Sequence, residues 1–157
     1  MTTDSSPQSP RTLSRRTEII FLVIYCVCFS FGGFVHIVDL VMNQPLARTT
    51  GPAPGTTLPF VWNVISTSFA FFNPLTVVLL LVRRQAGIAL MVAVTSLVFV
   101  MNLELMVQWW LQARYLHHQW IYLNGTLGLF QLVTAPWMWR TAAARSAARS
   151  ASPAIAG

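Results

Sequence analysis

The stretch that decides the fold is IIFLVIYCVCFSFGGFVHIVDLVM, residues 19–42, an apolar run with a histidine and an aspartate near its end. About 20 consecutive apolar residues are enough for a helix to cross the hydrocarbon core of a bilayer. Three more runs of this kind follow, at residues 59–82, 86–110 and 120–139. Of the 157 residues, 55% are hydrophobic and only 9% are charged, a balance outside the range of soluble domains. The sequence therefore predicts an all-α fold, an integral membrane four-helix bundle.

The segments outside these runs predict the limits of the folded domain. Residues 1–17 are rich in Ser and Pro and are expected to form a disordered cytoplasmic head. The four-helix transmembrane domain is placed at residues 18–140. Residues 141–157 are expected to form a low-complexity cytoplasmic tail that contributes nothing to a site. The segment RRQAG, residues 83–87, predicts a tight turn that makes the second and third helices antiparallel neighbours.

The arginines set the predicted orientation in the membrane. All ten basic residues are Arg, and only Arg48 and Arg114 fall in the first and third loops. Because cytoplasmic segments carry an excess of basic residues, this eight-to-two division predicts that both termini lie in the cytoplasm. We therefore interpret the net charge of +6 as a topology signal and expect no nucleic-acid partner. The predicted location is a membrane crossed several times, the cell membrane in a bacterium. The eight arginines on the predicted cytoplasmic side are Arg11, Arg15, Arg16, Arg83, Arg84, Arg140, Arg145 and Arg149.

With this orientation, most polar residues of the helices fall in the outer half of the bundle. Helical spacing places most of them on stripes that face other helices. On the third helix, Asn102 lies about 200° from Glu104, so both cannot point at the bundle axis. The set comprises His36 and Asp39 on the first helix, Asn63 and Thr67 on the second, Asn102, Glu104 and Gln108 on the third, and Asn124 and Gln131 on the fourth.

Carboxylates inside membrane spans make Asp39 and Glu104 candidates for function. On insertion scales a central Asp costs about 2.5–3.5 kcal/mol, so such residues are functional candidates by default. We expect His36 and Asp39 to point into a polar-lined cavity near the outer leaflet, opposite Glu104. Imidazole and carboxylate groups in such a cavity suit proton transfer, so these three are the candidate catalytic residues. The other polar residues of the set, with Trp109 at the rim, are assigned to substrate binding.

Structural roles are open for the same residues. Asp39 could cap the first helix, with His36 as its hydrogen-bonding partner. The amides of the second and fourth helices could hold the helices together through hydrogen bonds. Asn73 and Pro74 are expected to kink the second helix, with the freed carbonyl satisfied by a neighbour.

Four segments share their pattern with a known family. They are FGGFVHIVDL (31–40), FFNPLTVVLLLVRRQ (71–85), NLELMVQWW (102–110) and GLFQLVTAP (128–136). Over about residues 25–139 the chain resembles the EXPERA superfamily, which includes emopamil-binding sterol isomerases and the sigma-2 receptor group. The resemblance implies double-bond migration by protonation and deprotonation, with His36 and Glu104 as acid and base and Asp39 orienting His36.

Three functions are therefore open. The first is a membrane-embedded acid/base isomerase or cyclase acting on a sterol- or isoprenoid-like lipophilic substrate. The second is a non-catalytic binder or carrier of lipids or lipophilic small molecules, including cationic ones, because an acidic pocket would pair with an amine. The third is a subunit that assembles with other membrane proteins, and a homodimer is also left open. The absence of HxxxH and HExxH spacings disfavours a metal, and we expect no cofactor.

Overall fold

Four α-helices account for nearly all of the described chain. The computed structural model describes residues 12–43, 60–111 and 119–151. In chain order the helices are α1 (Arg15–Asn43), α2 (Phe60–Val82), α3 (Arg84–Leu111) and α4 (Gln119–Ala151). The other described residues are 12–14 and Arg83. The predicted all-α class is confirmed, while most of the predicted head and the two longer loops lie outside the described residues.

Three of these helices are long and apolar enough to cross a membrane. By length and composition they are Arg15–Met42, Phe60–Val82 and Arg84–Glu104. Their outer surfaces are apolar too: Val41, Met42 and Val82 are each at least 70% exposed. A soluble monomer rarely leaves a continuous surface of this kind to water. These features indicate a membrane-embedded protein.

The C-terminal end of α4 differs from its prediction. The sequence predicts a fourth helix that ends at residue 139 and a tail at residues 141–157, whereas the helix continues to Ala151. Alanine and arginine, which dominate this segment, are among the best helix formers. Thr141 and Ala142 are also buried, at 2% and 5% exposure, and the Thr141 hydroxyl accepts a hydrogen bond from the Leu13 amide at 3.1 Å. The fourth helix is therefore longer than predicted, and residues 141–151 belong to α4.

The helices pack in chain order, α1 on α2, α2 on α3 and α3 on α4, with a smaller contact between α1 and α4. Glycines bring α1 and α2 together at the Asn73-Pro74 step of α2. A Cβ added to Gly32 would lie 3.0 Å from Asn73 Nδ2, and one added to Gly33 would lie 3.1 Å from Pro74 Cδ. Such close approach is how membrane helices gain packing energy without a hydrophobic driving force between them.

The connection between α2 and α3 is a single residue, Arg83. Its amide donates to the Leu79 carbonyl at 2.8 Å, and its carbonyl accepts from the Gly87 amide at 3.0 Å. Gly87 then lies directly on the backbone of Leu80. This turn folds α3 back along α2 and fixes where the arginines of the turn stand.

Candidate functional site

A cavity of about 200 Å³ lies between α1, α3 and α4, with one side chain contributed by α2. Most of its wall is apolar or small, including Phe29, Val94, Val98 and Leu127. A mainly apolar cavity with a few convergent polar groups is the usual form of a small-molecule site. The polar residues that line it are His36, Asn73, Thr95, Asn124 and Gln131.

The cavity opens sideways between α1 and α4. These two helices meet where Tyr25 packs against Phe130, with ring centroids 6.1 Å apart, and where the Tyr25 and Thr134 hydroxyls hydrogen-bond at 2.5 Å. Further along α1, Phe31 and Leu123 line the cavity and yet are 51% and 48% exposed. The opening between them therefore reaches the apolar outer surface of the bundle.

His36 lies at the cavity wall and is held from behind by α2. Its ring meets the Phe69 ring edge-to-face, with centroids 5.4 Å apart, and Phe69 is only 1% exposed. Asp39 is half-buried, lies almost one turn further along α1 and acts on His36 electrostatically. It is not among the described residues that line the cavity. Of the pair, the imidazole alone is placed against the space a ligand would fill.

The predicted opposing acid does not line this cavity. Neither Glu104 nor Asn102 is among the described lining residues, and both are half-buried. Val98 does line the cavity, and Glu104 is six residues further along α3, about 240° around the helix. The structure therefore does not bring Glu104 and His36 together at this cavity. The side chains of Gln108 and Trp109 lie outside the described part of the chain.

Two of the residues predicted to bind substrate, Asn124 and Gln131, line the cavity. The two residues of α2 that were also predicted to bind substrate, Asn63 and Thr67, do not line it. Asn63 is 7% exposed and interacts within the protein, while the buried Thr67 hydroxyl has no hydrogen-bond partner among the described residues.

Two lining residues, Thr95 and Asn73, were absent from the predicted site. The Thr95 hydroxyl donates to Gln131 Oε1 at 2.8 Å, and both side chains are at most 5% exposed, so this bond fixes the Gln131 amide at the wall. A Thr-Ser pair inside the apolar run AVTSLV, residues 93–98, was a signal for the first. Asn73 was interpreted only as the residue before a proline.

The cavity thus combines hydrogen-bonding groups and an imidazole with an apolar wall. Such a site can orient a polar group and surround the apolar part of the same molecule. In the part of the chain that the structure describes, no three His, Cys, Asp or Glu side chains are grouped to hold a metal ion. Comparisons of the chain with protein-family models, with curated proteins and with solved structures found no match in any of the three.

Proposed function

We propose that the protein is a membrane-embedded binder of a lipophilic small molecule or lipid that carries a polar group. The observation that supports this function is the cavity, whose polar groups converge from all four helices onto an otherwise apolar space. His36, Asn124 and Gln131 would orient the polar group through hydrogen bonds. The apolar wall would cover the carbon skeleton.

The volume of the cavity limits how much of the ligand it can enclose. A cavity of about 150 Å³ holds benzene, whereas sites for drug-sized ligands measure about 300–1,000 Å³. At about 200 Å³, this cavity encloses one ring or a short branched chain. The rest of a longer molecule would pass between Phe31 and Leu123 into the lipid. One end of an isoprenoid- or sterol-like amphiphile fits this description.

The proposed setting is a bundle that crosses the membrane four times with both termini in the cytoplasm. Ion pairs that join the start of α1, the start of α3 and the last part of α4 support this arrangement. They bring basic segments that flank different helices to one end of the bundle. That end is the cytoplasmic one by the distribution of arginines.

This topology predicts which positions a membrane-impermeant maleimide reaches in intact cells. In a chain whose Cys26 and Cys28 are replaced by Ser, Arg48→Cys and Arg114→Cys should be labelled from outside, because the proposed topology places both on the outer side of the membrane. Arg83→Cys should react only after the membrane is permeabilised. If Arg83→Cys alone were labelled in intact cells, the orientation in the membrane would be the opposite of the proposed one.

Filling the cavity should weaken binding. Cys28 lines it, and a phenyl ring in its place would occupy most of the space that a ligand ring needs. Burial of one such apolar group is worth about 1.5–3 kcal/mol, so Cys28→Phe should weaken binding at least about tenfold. Crosslinking of a diazirine-bearing isoprenoid alcohol, normalised to folded protein, measures this loss.

The neighbouring substitution Val27→Phe is the matched control. Val27 is 62% exposed and does not line the cavity, so the same bulky ring should leave crosslinking unchanged. Thermal unfolding of both variants checks that each is folded. Equal crosslinking of Cys28→Phe and the unaltered protein would rule out this cavity as the binding site.

An acid/base isomerase or cyclase is the second candidate, and His36 at the cavity wall is the observation that favours it. Product analysis of the same samples, with a sterol- or isoprenoid-like alkene, separates the two functions. An isomerase would form a rearranged product, and His36→Ala would abolish product formation per molecule of substrate bound, with the bound amount measured by crosslinking. A binder would return the alkene unchanged.

A further inference from the structure

A second recess, of about 460 Å³, lies where the turn between α2 and α3 meets the last part of α4. It is separate from the cavity: Arg84 in its wall pairs with Glu18 of α1, and Cys28, the cavity-lining residue of α1 nearest to Glu18, is 10 residues further along that helix, about 15 Å. Its wall holds four arginines, together with Gln85 and Ser146. The arginines are Arg83, Arg84, Arg145 and Arg149.

Two of these arginines are held in place by a buried carboxylate. Glu18 is 1% exposed, and its two carboxylate oxygens pair with Arg84 and with Arg145. Each guanidinium carries five N–H donors, so pairing with Glu18 leaves others to meet a second anion. A guanidinium already fixed in position loses less conformational entropy when it binds a planar or tetrahedral oxyanion.

The recess carries excess positive charge. Four arginines around one carboxylate leave three positive charges among the residues described here. Arg83 and Arg149 line the recess and are exposed. α3 also begins at Arg84, and the N-terminal end of a helix favours an anion. The recess is therefore suited to a phosphate group, which arginines recognise through paired hydrogen bonds.

One side of the same recess is apolar. Leu81 and Val82 line it and are 62% and 74% exposed, at the end of a helix apolar enough to cross a membrane. Inorganic phosphate would leave this side unused. A molecule that carries a phosphate beside an acyl chain would use both sides, with the chain lying along α2. We propose that the recess binds the headgroup of an anionic phospholipid, a site separate from the ligand cavity.

The test compares two variants that lose the same charge. Arg83→Gln/Arg149→Gln removes two recess arginines and spares the pairs with Glu18. Arg15→Gln/Arg16→Gln removes two exposed arginines of α1 that do not line the recess. An exposed ion pair contributes up to about 1 kcal/mol, so the first variant should bind phosphatidylglycerol up to about 30-fold more weakly. The second should bind it like the unaltered protein. Native mass spectrometry of detergent-solubilised protein titrated with phosphatidylglycerol measures both.

Phosphatidylcholine and inorganic phosphate are the other arms of the titration. Phosphatidylcholine should bind weakly, because its headgroup carries no net charge, and inorganic phosphate should not displace phosphatidylglycerol. Equal losses of phosphatidylglycerol affinity in the two variants would show that the lipid binds a general basic surface, which would overturn the proposal of a specific site. Displacement by inorganic phosphate would assign the site to a free anion, and unchanged binding in Arg83→Gln/Arg149→Gln would overturn the proposal. The cavity and its ligand are untouched by any of these outcomes.

Discussion

Glu18→Gln should lower the free energy of unfolding by about 2–4 kcal/mol. The carboxylate is 1% exposed and joins α1 to α3 through Arg84 and to α4 through Arg145. Breaking a buried ion pair costs about 3–5 kcal/mol when the remaining charge stays buried. Here the remaining arginine side chains are 29% and 38% exposed and can turn toward water, which lowers the cost. A neutral Gln also leaves the end of the bundle with unopposed positive charge.

Thermal unfolding in detergent micelles measures the effect of Glu18→Gln against two variants of α4. Arg145→Gln should destabilise the bundle less, because Arg84 still compensates the carboxylate. Arg140→Gln, an exposed position on the same helix, should have no measurable effect. The double variant Glu18→Gln/Arg145→Gln should cost less than the sum of its singles, because the two residues interact. A Glu18→Gln protein that unfolds at the temperature of the unaltered one would contradict this role.

The helices could be predicted from sequence because run length and apolar composition suffice, but the cluster at Glu18 could not. Glu18 stood at the predicted domain boundary, and its partner Arg145 is 127 residues away in a segment interpreted as a tail. The arginines were interpreted only as markers of orientation. An ion pair between distant helices depends on how helix ends meet, and no local pattern specifies that. The Ala- and Arg-rich composition of residues 141–151 was nevertheless a usable sign of helix.

The candidate site was predicted in part for a similar reason. Depth placed His36 and Asn124 in the outer half of the bundle, helical spacing placed Gln131 on the same face of the fourth helix as Asn124, and all three line the cavity. On α3, Asn102 and Glu104 offered two faces about 200° apart, and spacing alone could not choose between them. In the structure, the face of α3 that carries Thr95 and Val98 lines the cavity.

Two close contacts between helices, at Gly32 and at Gly128, help to determine which side chains line the cavity. An added Cβ on Gly32 would meet Asn73 Nδ2 at 3.0 Å, and one on Gly128 would meet Phe99 Cε2 at 2.5 Å. Where the helices meet decides which side chains reach a shared space. That is a property of the tertiary structure, so the sequence around Asn73 did not indicate that this residue would line the cavity.

Gly87→Ala should destabilise the bundle by about 3 kcal/mol, at the upper end of the cost of overpacking. A Cβ at Gly87 would lie 2.3 Å from the Leu80 nitrogen, 2.6 Å from its Cα and 2.7 Å from the Leu79 carbonyl carbon. These are backbone atoms, so no side-chain rotation relieves the clash. α2 and α3 must separate at their one-residue turn, which also displaces Arg84 from Glu18.

Gly125→Ala is the matched control, since nothing lies within 4 Å of its added Cβ. A glycine inside a helix costs about 0.5–1 kcal/mol relative to alanine, so that variant should unfold at a slightly higher temperature. The same substitution is therefore expected to act in opposite directions at two glycines, and thermal unfolding of the two variants in one detergent decides it. A Gly87→Ala protein as stable as Gly125→Ala would show that α2 and α3 are not packed this closely.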